Sequence, residues 1–343
     1  MLSTLFGNMF TRVFVNIVVS RSSTLVYIEI SNKKDVIKKV DEVFGTTSLS
    51  NKMYSFIESY IKETPFYYIS FLDTSEFQGM APTCSSREIS KFFDVNVHKY
   101  LCYSNKYAFY TLKSDLQLLQ KAYSKIGIDF IFSPFIILTR IFQDKVDKSA
   151  AMYILVEDTR ISLAVFDSSE LLYAEYMVLE QNGQTYDLLN EAIATDYESL
   201  DFDGTIDLDN MNADLDMGDL DSFGDFDDIE DLDTLEDMDD FSDVKTKNEK
   251  AVTLAKKTNP VKDETPTLTE DYARFLLIQN SLNTFYNDEK FASAFIEKVF
   301  IASGVDSGTD LKKYLEEEIF LNVVLRHVDL GAELCDLARA EIK

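Results

Sequence analysis

The sequence predicts an α/β protein made of two similar halves, the second interrupted by a long acidic segment. Three observations lead there. Short runs rich in Val, Ile, Phe and Tyr come in threes, each trio followed by a helical pattern, and the trios occur twice, over 13–44 and 152–179. A strand, a Gly turn, a helix and a strand close the folded sequence at 298–328. With 343 residues, 46% of them apolar, the chain can bury one large core or two smaller ones, so wholesale disorder is excluded.

The first trio is VFVNIVVS (13–20), TLVYIEIS (24–31) and VIKKVDEVF (36–44), an antiparallel meander joined by short polar turns. A helix is expected from Ser50 to Glu63, where Met53, Phe56, Ile57 and Tyr60 share one face and Pro65 blocks continuation. FYYISFLD (66–73) is apolar on both faces and suits a buried central strand. A looser region from Thr74 to Asn105 precedes KYAFYTL. A helix over Ser114–Lys125 follows, with Leu116, Leu119 and Tyr123 on one side, and IGIDFIFSPFIILTRIF reads as a buried strand. The second trio is MYILVED (152–158), RISLAVFDS (160–168) and ELLYAEYMVL (170–179), with a helix expected near Tyr186–Ala194.

Charge separates the folded parts from the rest. The net charge is −27, yet Asp196 to Asp243 holds 21 acids and no Lys or Arg, which leaves only −6 for the remainder. In DMGDLDSFGDFDDIEDLDTLEDMDDF (216–241) bulky apolar residues recur at a period of three. That matches neither a helix nor a strand, so the run is expected to be disordered. Residues 244–266 read as a flexible linker. Folded sequence restarts at Thr267, where Thr267 and Glu270 form a capping box ahead of an apolar stripe of Phe275, Ile278, Leu282 and Phe285. Strand KVFIAS (298–303), turn GVDSG, a helix over Thr309–Glu318 and strand FLNVVLRHV (320–328) follow.

So acidic a chain repels nucleic-acid phosphate and anionic lipid, which excludes both as primary ligands. Cys84, Cys102 and Cys335 have no C-x-x-C spacing and the only histidines are His98 and His327, which argues against structural zinc and a disulfide framework. No leader pattern and no apolar run of membrane-spanning length is visible, so a cytoplasmic protein of a reducing compartment is expected. No nucleophile constellation surrounds either histidine. Asp73 and Glu76 end a strand, as catalytic carboxylates sometimes do, but solvated loop acids are commoner.

The doubled order of three strands, helix and strand resembles the actin-like (RNase H-like) ATPase fold, within it most the PilM type of pilus-assembly protein, related to the division protein FtsA and to the cytoplasmic domain of GspL-type secretion proteins. NIVVSRSSTLVYIEI (16–30) sits where the family has its first phosphate hairpin, YILVEDTRISLAVFDSSELLYAEYMVL (153–179) its second, and VFIASGVDSGTDLKKYLEEEIFLNVVL (299–325) its adenine-side strand and Gly turn. The implied domains are 1–150, a first half with a reduced small subdomain over about 76–108, and 151–195 plus 267–343, a second half, with 196–266 as insert and linker. Family ATPases need Asp then Gly in the first hairpin, the Asp for hydrated magnesium and the Gly for close backbone approach to phosphate. Val18 and Ser20 stand there, Leu155 and Glu157 in the second hairpin, and Gly304-Val305-Asp306 replaces a double glycine. The residual nucleotide-site positions are Ser20, Arg21, Ser22, Ser23, Glu157, Asp158, Ser303 and Gly304.

Three departures from three motifs imply a relative without ATP hydrolysis and with no cofactor beyond weak ATP and magnesium binding. The resemblance then implies a non-catalytic cytoplasmic scaffold, peripheral to the inner membrane. It would dock the cytoplasmic tail of a bitopic inner-membrane protein, with a homo-oligomeric ring as one form of assembly, in a pilus, type II secretion or flagellar-motor-associated machine. Phe92, Phe93, Tyr100, Tyr103 and Tyr107 in the small subdomain fit either a docking surface or core. The competing readings are an active actin-like ATPase and a calcium-responsive acidic adaptor. For the last, SLDFDGTIDLDN (199–210) places Asp201, Asp203 and Asp207 on calcium-loop positions but lacks both end carboxylates.

Overall fold

Strand β1 (Arg12–Val19) is buried along nearly its whole length because its two faces serve two cores. Val13, Val15 and Ile17 face one hydrophobic cluster, Phe14 and Val18 another, as period-2 side-chain alternation requires. The structure, a computed structural model, describes residues 11–32, 35–146, 150–179, 269–291, 294–305 and 308–342. These belong to one compact unit, Met1–Thr195 with Leu268–Lys343.

In the first sheet β1 pairs antiparallel with β2 (Thr24–Asn32), which pairs with β3 (Asp35–Phe44). On its other side β1 runs parallel to β4 (Tyr67–Leu72), and β4 to the short β8 (Phe130–Phe132), giving the order β3-β2-β1-β4-β8. Helix α1 (Asn51–Ile61) starts where Ser50 accepts a hydrogen bond from the Met53 N–H, and it buries Met53 and Ile57 on this sheet's outer face. Helix α2 (Lys113–Ala122) delivers Leu119 and the following Tyr123 to the same face.

The second sheet repeats that order. Strands β9 (Ala151–Val156), β10 (Arg160–Asp167) and β11 (Glu170–Val178) form an antiparallel meander. Strands β12 (Lys298–Ser303) and β13 (Asn322–His327) add in parallel on the far side of β9, giving β11-β10-β9-β12-β13. Helices α4 (Glu270–Asn287) and α5 (Thr309–Glu317) cover its outer face, with Phe275, Ile278, Leu282 and Phe285 all buried.

Two further helices fill the space between the sheets. Helix α3 (Pro134–Ile141) belongs by sequence to the first half but packs on β9 and β10, and α6 (Leu330–Glu341) closes the second half but packs on β1, β2 and β4. Each half thus sends its last helix across to the other, and one shared core unites Phe14, Leu72, Leu138, Tyr153, Phe166 and Leu334. This is the duplicated actin-like arrangement expected from the sequence.

Several elements differ from expectation. The apolar run after Gly127 is not one strand: Ser133 caps a helix through the Phe135 N–H and Pro134 takes its first turn, a combination that ends β8 and starts α3. The looser region carries two strands, β5 (Gln78–Ala81) and β6 (His98–Tyr103), which flank β7 (Tyr107–Leu112) in a small third sheet. Helix α4 is capped by Thr269, whose hydroxyl accepts from the Tyr272 N–H, and not by Thr267. Helix α6 was not anticipated. The helix expected at 186–194 and the acidic insert lie outside the described residues.

Helix α6 approaches β2 so closely that a Cβ on Gly331 would lie 2.6 Å from the Cβ of Tyr27. Gly331→Ala is therefore expected to destabilise the fold by about 1–3 kcal/mol through overpacking, read as a lower urea midpoint with an unchanged slope.

Candidate functional site

The strand ends of the two sheets meet at a cavity of about 530 Å³. It is lined by the β1–β2 turn (Val18, Val19, Ser20), the β9 end (Glu157, Asp158), Gly304 and Val305 after β12, and Asp329 and Leu330 at the start of α6, with Leu25, Tyr27, Asp41 and Val328 completing the wall. Of the sequence-derived candidates, Ser20, Glu157, Asp158 and Gly304 converge here. Ser20 and Arg21 also border a neighbouring cavity, and Ser22, Ser23 and Ser303 line neither.

The β1–β2 turn is closed upon itself. The Ser20 N–H donates to the Ser23 carbonyl at 2.8 Å, and the Arg21 N–H donates to Asp158 Oδ2 at 2.9 Å. A phosphate nest needs such backbone donors unspent and aimed at the anion; here a carboxylate of the chain itself holds one of them. The Arg21 guanidinium turns to Glu270 Oε1 of α4 at 2.8 Å. Across the cleft the Gly304 N–H donates to the Val156 carbonyl at 2.8 Å, and a Cβ at Gly304 would lie 2.6 Å from Leu330 Cδ1. That glycine therefore serves packing against α6. Ser303 Oγ donates to the Val305 carbonyl at 2.8 Å.

Behind the turns lies an ion network that sequence reading missed. Arg274 is 1% exposed. Its guanidinium donates to Asp271 Oδ1 at 2.7 Å, to the Asp158 carbonyl at 2.8 Å and to Glu270 Oε2 at 3.2 Å. Asp271 Oδ2 in turn accepts the Gly308 and Leu311 N–H groups at the start of α5, at 3.0 and 3.3 Å. A carboxylate at a helix N-terminus satisfies free donors and complements the dipole.

Glu157 is 3% exposed and its Oε1 takes no hydrogen bond. Burial pushes its carboxyl up to about 7, the nearby Arg160 opposing this and Asp73 adding to it. Arg160 Nη1 is spent on the Val19 carbonyl at 3.1 Å. The phenol of Tyr176 is raised by burial and by the Glu157 charge. Asp73 is not the solvated loop acid expected: it is 2% exposed and accepts from the Ser75 N–H and hydroxyl at 3.0 and 2.6 Å, whereas Glu76 is exposed. No group of three or more His, Cys, Asp or Glu is placed to hold a metal among the described residues, and Asp201, Asp203 and Asp207 lie outside them. No helix among the described residues is long and apolar enough to cross a membrane.

A further concavity of about 340 Å³ lies between the small sheet and β11. Phe77, Phe92, Phe93, Tyr110 and Tyr176 line it, with Glu76 and Glu175 among its acids. Of the subdomain aromatics, Phe93 and Tyr107 are buried, while Phe92, Tyr100 and Tyr103 are exposed.

A family model described as a domain of unknown function (DUF8341) matches residues 152–343, from β9 to the end of the chain. The chain belongs to the DUF8341 family. A second model, also described as a domain of unknown function (DUF8569), matches residues 10–139. No curated protein matches. Among solved structures, the DUF8341 chain is similar to a Bacteroides thetaiotaomicron protein with actin-like ATPase fold and unknown function, at 11% identity and TM-score 0.42 over 97% of this chain and 96% of that one. It is similar to the PilM–PilN type IV pilus biogenesis complex at 10% identity and TM-score 0.46, over 95% and 98%. The ethanolamine utilization protein EutJ from Carboxydothermus hydrogenoformans aligns at 8% identity and TM-score 0.36, over 96% and 89%.

The raised Glu157 carboxyl carries a pH signature. The folded state holds a proton that the unfolded state has released, from its ordinary value of 4.5 up to about 7, so ionising Glu157 costs stability as pH rises through that window. Glu157→Gln is expected to match the wild type at pH near 4 and to exceed it at pH 8 by on the order of 3 kcal/mol, measured by urea denaturation across pH.

Proposed function

We propose that this chain is a non-catalytic actin-like scaffold that docks the cytoplasmic tail of a single-span inner-membrane protein belonging to a pilus, type II secretion or related envelope machine. The observation that carries the first part is the cleft's own chemistry. Four carboxylates (Asp41, Glu157, Asp158, Asp329) and no Lys or Arg line it, and Asp158 holds a hairpin N–H that phosphate would need. A triphosphate entering there meets like charge and spent donors, with no glycine in either hairpin turn to let the backbone approach.

With hydrolysis set aside, what remains of the fold is a surface. The groove between the small sheet and β11 supports the docking part: Phe77 is 65% exposed and Phe92 37%, beside the acids Glu76 and Glu175. Its chemistry suits an extended segment with aromatic or aliphatic anchors and a basic residue or two.

The purified chain is expected to release no phosphate from ATP with magnesium above the buffer rate, and steady turnover abolished by Glu157→Gln overturns the scaffold reading. For docking, a photoreactive phenylalanine at position 77 is expected to crosslink in cells to the cytosolic segment of a single-span protein. The same probe at Leu118, equally exposed on α2, should not; equal labelling from both sites counts against the groove.

A further inference from the structure

We propose that the inter-half cleft, in place of a nucleotide, binds an organic cation: an alkylammonium group whose charge reaches Glu157 while its methylenes lie along Val18, Leu25 and Leu330. The cavity is large enough at about 530 Å³ and combines an aliphatic wall with an acidic one. Two of its acids are partly used, Asp158 Oδ2 by the Arg21 N–H and Asp329 Oδ1 by the Ala332 N–H. Glu157 is different: it lines the cavity, is 3% exposed, and leaves Oε1 with no hydrogen-bond donor. A buried acceptor without a partner carries an uncompensated desolvation cost, and a charged N–H donor relieves it more strongly than a neutral one.

The surroundings narrow the class. Anions are repelled by the four acids. The described residues offer no cluster of three metal-type ligands, so a bare divalent ion lacks a coordination shell, whereas an ammonium needs only one or two carboxylate contacts and dry walls for its chain. The groups facing Glu157 are Arg160 of β10, Asp73 after β4, Tyr176 of β11 and Asp158 on its own turn. Arg160 Nη1 is engaged with the Val19 carbonyl, and no group hydrogen-bonds Glu157 Oε1, so the carboxylate can still take a further cation. Binding requires the ionised carboxylate, so affinity rises between pH 6 and pH 8 and each binding event releases a proton below that range.

Calorimetry on the full-length chain tests this with two probes, spermidine and a short peptide carrying one lysine between aliphatic residues. The acidic run at 196–243 will attract any polycation loosely, so the comparison is between variants. Glu157→Gln, expected to fold at least as well as the wild type, should weaken the saturable one-to-one phase by about tenfold or more, while Asp201→Asn with Asp203→Asn leaves it unchanged. Saturable spermidine binding identifies a free amine as the source. Binding of the peptide alone identifies a partner's lysine. The absence of a saturable phase with either probe, or one that Glu157→Gln leaves intact, overturns the proposal.

Discussion

The buried guanidinium of Arg274 is the constraint on which the architecture of the cleft depends. Lying 1% exposed, it binds two acids of its own helix and the carbonyl of Asp158. A charge so enclosed is tolerated only when each donor finds a partner, and removing those partners leaves it costly. The positions of neighbouring segments follow. Asp271 is shared with the first turn of α5, which fixes the helix after β12, and Gly308 adopts φ +123° to enter that turn. Asp158, anchored through its carbonyl, offers its carboxylate to Arg21, and Arg21 returns to Glu270. Two hairpins from different halves and the start of α4 are thereby locked together beside the cavity between the sheets.

Shared side chains take over from a shared ligand in another respect too. Helices α3 and α6 each cross to the opposite sheet, and Arg339 of α6 pairs with the buried Glu29 of β2. Burial of large aromatic and aliphatic groups between the sheets holds the halves together whether or not anything fills the cleft.

The two five-stranded sheets were largely legible because their strands are short, β-branched and bounded by polar turns, and the Phe275, Ile278, Leu282 and Phe285 stripe announced α4. Helix α3 was hidden because its Phe, Ile and Leu residues are buried on every side, so no period distinguishes it from a strand; only Ser133-Pro134 marks its start. Helix α6 had a readable signal in Asp329 followed by Leu330, Leu334 and Leu337, at helical spacing after a capping acid. Ser20, Glu157 and Asp158 were singled out by the place of their hairpins in the resembled fold and Gly304 by that of the turn after β12, and all four line one cavity. Arg274 and Asp271 were not singled out, because an acid and an arginine three apart on a helix read as a solvated pair, and their other partners are remote in sequence: the Asp158 carbonyl for Arg274, the Gly308 and Leu311 N–H groups for Asp271.

The deciding property of the cleft is whether it admits a nucleotide at all. Titration of the full-length chain with ATP and magnesium in a calorimeter measures this without depending on turnover. The self-satisfied hairpins and the four facing carboxylates predict no saturable heat at millimolar nucleotide. A one-to-one isotherm with micromolar affinity, weakened by altering Ser20 or Gly304, contradicts the account.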